Sequence, residues 1–152
     1  MKLPYREGTW FAVPLRRGGF AIGVVARATA IGKVILCYFF GPRRTTLPKI
    51  AEVEDLRAGN AIRAWRVGDL SLAKGDWPII GRSESWNRSE WPTPIFIRRD
   101  PLRPKAWRVI YSDDDPNKLI AEEPEAAERK DLEENGVFGA GAAEIALTKV
   151  LS

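Results

Sequence analysis

The segment FAIGVVARATAIGKVILCYFF, residues 20–40, reads as two strands joined by a tight turn. In residues 20–29, Phe20, Ile22 and Val24 fall on one face, the period of two that marks a half-buried strand. A glycine-bearing turn follows at residues 31–33. KVILCYFF, residues 33–40, is apolar almost without interruption, the pattern of a strand buried on both faces. Upstream, TWFAVPL at residues 9–15 is rich in strand formers and contains a proline, which places it first or at an edge, and residues 16–19 form a turn. Three strands with short connections predict a meander.

Downstream, Gly41-Pro42 is expected to stop the third strand. RRTTLPKIAEVEDLRAG, residues 43–59, sets Ile50, Val53 and Leu56 at helical spacing before Gly59, which predicts one short internal helix near residues 51–58. AIRAWRVGDL at residues 61–70 alternates as a strand closed by a Gly68-Asp69 turn, and short strands are expected at residues 78–81, 94–98 and 106–111. SDDDPN is a turn, LIAEE a brief strand, and EAAERKDLEENG, residues 125–136, a charged helix ending at Asn135-Gly136. AGAAEIALTKVLS, residues 140–152, spaces Ala140, Ala143, Leu147 and Val150 for one docking face of a last helix.

The expected fold is therefore mainly β (α+β): a curled antiparallel sheet or small barrel, with one short internal helix and C-terminal helices. A chain of 152 residues fits a single domain, residues 1–152, and can bury a core without metal or disulfide staples. Residues 1–110 hold 20 Lys/Arg against 9 Asp/Glu, and residues 111–152 hold 4 against 11, so the two parts carry +11 and −7. The domain thus divides into a β-rich basic body, residues 1–112, and an acidic, partly helical C-terminal extension, residues 113–152. Two readings of this asymmetry stand: the acidic part folds back on the basic body, or one of the two surfaces meets an oppositely charged macromolecule.

No stretch has the ~20 apolar residues of a membrane span, and the N-terminus lacks the apolar region of a secretion signal. Cys37, the single cysteine, sits within VILCYFF as a small hydrophobe, and with no disulfide available a cytoplasmic location is expected.

The chain contains no histidine, which removes Ser-His-Asp and Cys-His catalysis and histidine metal sites. The carboxylate pairs Glu52 with Asp55 and Glu84 with Glu90 lack the spacing of a catalytic dyad. The run Asp113-Asp114-Asp115 lacks the interleaved spacing and closing glutamate of a calcium loop. The glycine pairs match no phosphate-binding fingerprint. No enzyme, cofactor or metal reading follows. The doublets Arg16-Arg17, Arg43-Arg44 and Arg98-Arg99 offer an alternative, a small nucleic-acid-binding β-barrel in which arginines take phosphates and exposed tryptophans stack bases.

WPIIGRSESWNRSEWPTPIF, residues 77–96, holds three of the six tryptophans and three of the eleven prolines. The prolines fix torsion and remove N–H donors, so this is a rigid loop-rich segment between short strands. Trp10, Trp65 and Trp107 lie in strand runs and read as core. Trp86 and Trp91 stand among polar residues, as protein-binding anchors do.

EGTWFAVPL, GFAIGVVAR, YFFGPR, DLSLAKGDWPIIGR, EWPTPIF and WRVIYSDDD, in this order over residues 7–115, resemble the immunity protein 26 family of bacterial polymorphic toxin systems. GDWPIIGR followed by EWPTP is the most specific part. The resemblance implies a cytoplasmic, non-enzymatic protein, encoded beside a secreted toxin, that binds the cognate toxin and blocks it. On this reading Trp86, Trp91, Arg82, Glu84, Arg88 and Glu90 are candidate contacts, and Asp113, Asp114 and Asp115 a lure for a basic toxin surface. Residues from 122 onward lie outside the resemblance.

Overall fold

The computed structural model describes residues 2–152. The expected meander forms: β1 (Thr9–Pro14), β2 (Phe20–Arg27) and β3 (Val34–Arg44) pair antiparallel in sequence order. β4 (Arg63–Gly68) adds beside β3, and β5 (Ile79–Arg82) adds beside β1. A two-residue strand, β10 (Val137–Phe138), pairs in parallel with β4 and completes a six-stranded sheet ordered β10-β4-β3-β2-β1-β5. A second sheet, ordered β8-β7-β6-β9, comprises β6 (Phe96–Arg99), β7 (Ala106–Tyr111), β8 (Leu119–Glu125) and β9 (Glu133–Glu134).

Both faces of the large sheet are buried, as the apolar run of β3 requires. Phe11, Val25, Ile35, Cys37, Phe39 and Trp65 face α2 (Leu70–Lys74) and α3 (Ala140–Val150), which contribute Leu72, Ala143 and Leu147. Trp10, Val24, Leu36, Tyr38 and Phe40 face the second sheet, which contributes Phe96 and Val109. The strands pack closely enough that a Cβ on Gly23 would lie 2.4 Å from the Phe11 ring, so that position excludes a side chain. Because different layers cover the two faces, the sheet stays open with β10 and β5 as edges, and no barrel closes.

Other expectations change as well. β3 runs through Gly41-Pro42 to Arg44, because Pro42 falls where the β2–β3 register shifts between the Ile22↔Phe40 and Phe20↔Arg44 pairs. The internal helix shrinks to the single turn α1 (Ile50–Val53), followed by a 3-10 turn at Ala58–Asn60. α2 was not foreseen. The sheets are mixed, since β10–β4 and β6–β9 pair in parallel.

The largest correction concerns residues 125–136, which form no helix. A helix there would have only Ala126, Ala127 and Leu132 to bury, too little to repay its ordering. Instead Arg99 takes the carbonyls of Ala127 and Arg129, Glu133 accepts from Trp65 Nε1 at 2.7 Å, and Glu134 pairs with Arg99. α3 forms as expected, with Ala143 and Leu147 fully buried, although Val150 stays exposed and Leu151 packs in its place.

The acidic residues fold back on the basic body. Arg98 pairs with Glu122, Arg108 with Glu123, Arg63 with Glu133 and Arg16 with Glu144. Residues beyond 112 supply β8 and β9 to one sheet, β10 to the other and α3 to the core.

Candidate functional site

A tight arrangement forms where the tryptophan-rich loop after β5 meets the turn of the three aspartates. Two contacts pin the start of the loop: the buried Ser83 Oγ accepts from Trp10 Nε1 at 2.7 Å, and the Ser83 amide donates to the Gly8 carbonyl at 3.2 Å. Asn87 then caps a short 3-10 turn at Arg88–Glu90, its Oδ1 accepting from the Ser89 amide at 3.1 Å. Without that cap the turn's first N–H groups would lack partners.

Trp91 is only 3% exposed. Its ring meets Trp10, Tyr38 and Phe40 edge-on, with centroids 5.9, 5.2 and 6.1 Å away, and the Tyr38 hydroxyl donates to the Pro92 carbonyl. The expected exposed Trp91 is thus corrected to a core residue, because the prolines turn the chain back so that its ring fills the gap between the sheets. Trp86, half-buried, stacks on it at 5.1 Å and 19°. Trp86 also lies against Gly8, at φ +90, where an added Cβ would stand 3.0 Å from the indole. Its Nε1 is buried without a hydrogen-bond partner, and the ring lines a polar cavity of about 30 Å3 together with Ser83, Ser85, Asn87 and Glu90.

Below this loop lies Arg27, 2% exposed and not foreseen as part of any site. Alternation along β2 would place it with Val25 against the helices. A β-bulge between Val25 and Arg27 re-aims it, so that Arg27 pairs with Leu36 and faces the second sheet. There its Nε donates to the Asp113 carbonyl at 2.9 Å, Nη2 to Asp113 Oδ1 at 3.0 Å and to the Arg88 carbonyl at 3.2 Å, and Nη1 to the Ala26 carbonyl at 2.7 Å. A charged side chain within the run VVARAT was the one signal in the sequence.

Arg88 closes the cluster from above. Its guanidinium bonds Glu7 Oε1 at 3.0 Å, Asp114 Oδ1 at 3.0 Å and the Asp113 carbonyl at 2.9 Å. The Thr93 hydroxyl donates to Asp113 Oδ1 at 2.8 Å; this bond, then Arg27 and Arg88, holds the Asp113 carboxyl below its ordinary value.

The structure therefore brings Arg88, Asp113 and Asp114 together, and stacks Trp86 on Trp91. Arg82 joins at the margin, donating from Nε to the Glu7 carbonyl at 3.1 Å. Glu84 and Glu90 are exposed beside Trp86, and Asp115 turns away to cap its own loop through the Asn117 amide at 2.9 Å. Asp113 and Asp114 are engaged by arginines of the body, so the aspartate run is a fastening of the loop. The arginine doublets do not share a groove. Arg16-Arg17 and Arg43-Arg44 lie by the β1–β2 turn, whereas Arg98 and Arg99 belong to the other sheet and are paired with Glu122 and Glu134.

With Arg27, Arg88, Asp113 and Asp114 tied to one another, the cluster fastens the loop and leaves Arg82, Glu84, Asn87 and Glu90 exposed along the segment that carries the half-buried Trp86. No helix among the described residues is long and apolar enough to cross a membrane. No curated protein and no solved structure matches the chain. The family model for immunity protein 26 matches residues 6–108, from the turn that enters β1 to the first half of β7, and so includes the whole tryptophan-rich loop and Arg27. Matched over more than half its length, the chain belongs to the immunity protein 26 family.

Proposed function

We propose that the protein binds a cognate bacterial toxin and neutralises it by occlusion, without catalysis, in the cytoplasm of the cell it protects. The observation that carries this reading is the loop of residues 83–90, held rigid by Arg27, Arg88 and Asp113 while Trp86, Glu84 and Glu90 remain at the surface. A preorganised loop loses little conformational entropy on association, which favours tight binding. Trp86 adds a half-buried aromatic ring that is stacked on Trp91 and so fixed before any partner arrives. The contacts we assign are Trp86, Arg82, Glu84 and Glu90, with Arg88, Asp113 and Asp114 fixing the loop and Trp91 its foundation.

A central anchor costs ~2 kcal/mol or more on truncation, roughly thirtyfold in affinity. Trp86→Ala should therefore weaken toxin binding by about that factor while tryptophan fluorescence and thermal unfolding show a folded chain. Undiminished binding by a folded Trp86→Ala, Glu84→Lys, Glu90→Lys triple variant would refute the site. The nucleic-acid reading requires unpaired arginines beside open rings; Arg98 and Arg99 are paired with carboxylates and Trp91 is buried, so that doublet and that ring do not serve it.

A further inference from the structure

Two adjoining grooves of about 350 and 460 Å3 run along the N-terminal segment beside β5, and both are lined by Lys2, Leu3, Tyr5, Arg6 and Arg82. Each is of the size that holds ligand groups. Lys2, Arg6 and Arg82 are exposed, and none forms an ion pair among the described residues. The single carboxylate in the lining, Glu7, is committed to Arg88 at 3.0 Å. The grooves thus carry a positive charge that the protein's own acidic residues leave uncompensated, unlike Arg98, Arg108 and Arg16, which are each paired with a carboxylate.

We infer that these grooves take an extended, carboxylate-rich peptide segment of the protein partner. The inference rests on the proposed function and names the partner's chemistry at its margin. Three features select a peptide. β5 is an edge strand, beside which an extended chain can lie. Leu3 and the 42% exposed Ile79 give apolar footing between the cations. Single-stranded nucleic acid would need an open aromatic face for its bases. The only aromatic lining residue is Tyr5, 5% exposed, with its hydroxyl donating to Asp69 Oδ2 at 2.5 Å. Arg82 lies in the grooves and at the root of the tryptophan loop, so one partner surface can engage both.

The test uses the full chain and a fluorescein-labelled peptide of alternating glutamate and leucine, read by anisotropy at low salt. A lysine-leucine peptide and an oligothymidylate of equal length serve as comparisons. The glutamate peptide should bind in preference to both. Arg6→Glu with Arg82→Glu should weaken it at least roughly tenfold, since two attractive pairs become repulsive. Arg17→Glu with Arg43→Glu, the same charge change elsewhere, should leave it within about twofold. Equal binding of the lysine peptide, equal loss in both double variants, or preference for oligothymidylate would overturn the inference. Peptide binding by a protein that captures no toxin would uphold the groove and remove the proposed function; toxin capture without peptide binding would remove this inference alone.

Discussion

Removing the Asp113 side chain should unfasten the loop from the body, and the cost can be worked from the contacts of Arg27. That guanidinium is 2% exposed, and its one carboxylate partner is Asp113 Oδ1 at 3.0 Å. Stripping a buried charge of its counter-ion costs about 3–5 kcal/mol. Two features reduce this. The Asp113 side chain is 62% exposed, so solvent screens part of the pair, and in Asp113→Ala the backbone carbonyls of residues 26, 88 and 113 still accept from Arg27. Loss of the Thr93 hydroxyl's acceptor adds back a fraction of a kilocalorie. The net expectation is a loss of about 2 kcal/mol. Asp114→Ala supplies the comparison: its side chain is 85% exposed and touches only Arg88, so it should cost less than about 0.5 kcal/mol. Urea unfolding followed by tryptophan fluorescence measures both. Equal midpoints for the two variants, or an Asp113→Ala midpoint matching the unmodified protein, would refute the view that Arg27 and Asp113 fasten the loop.

Trp91→Ala should destabilise the fold by about 3–5 kcal/mol, the range for a large ring removed from a packed core, and a loss below about 1 kcal/mol would show that the ring is not core. Acid should weaken the protein through its paired carboxylates. Asp113 is held below its ordinary value by Thr93 and then Arg27, and Glu122 by Arg98, so each has a lower folded than unfolded value. Their stabilisation is complete above the unfolded value of about 4 and is lost as pH falls through the folded values. Urea midpoints should therefore hold between about pH 7 and 6 and fall between about pH 5 and 3, and a midpoint unchanged at about pH 3 would contradict this.

How much was legible in the sequence depended on which scale of interaction decided each element. The meander, β4 to β7 and α3 are set by local apolar periodicity, and the residues carrying it, such as Phe39 and Leu147, are buried where the pattern required. The helix expected at residues 125–136 failed because long-range partners, Arg99 and Trp65, claim carbonyls and carboxylates that a local pattern leaves free. Arg27 was missed because one bulge reverses the face to which it points, and a bulge leaves no mark on composition. Trp91 reads as polar-flanked in sequence, yet its neighbours in space are Trp10, Tyr38 and Phe40. The same limit applied to the aspartate run, whose partners Arg27 and Arg88 are 86 and 25 residues away.

Toxin neutralisation by direct binding is most directly tested by affinity capture of the tagged protein from its native cells at moderate salt, with half the lysate treated with nuclease, beside the Trp86→Ala, Glu84→Lys, Glu90→Lys variant. The account predicts one stoichiometric protein that survives nuclease, is lost from the variant, and kills cells when expressed alone but not together with this chain. Nucleic acid that disappears on nuclease treatment, with no stoichiometric protein beside it, would contradict the account.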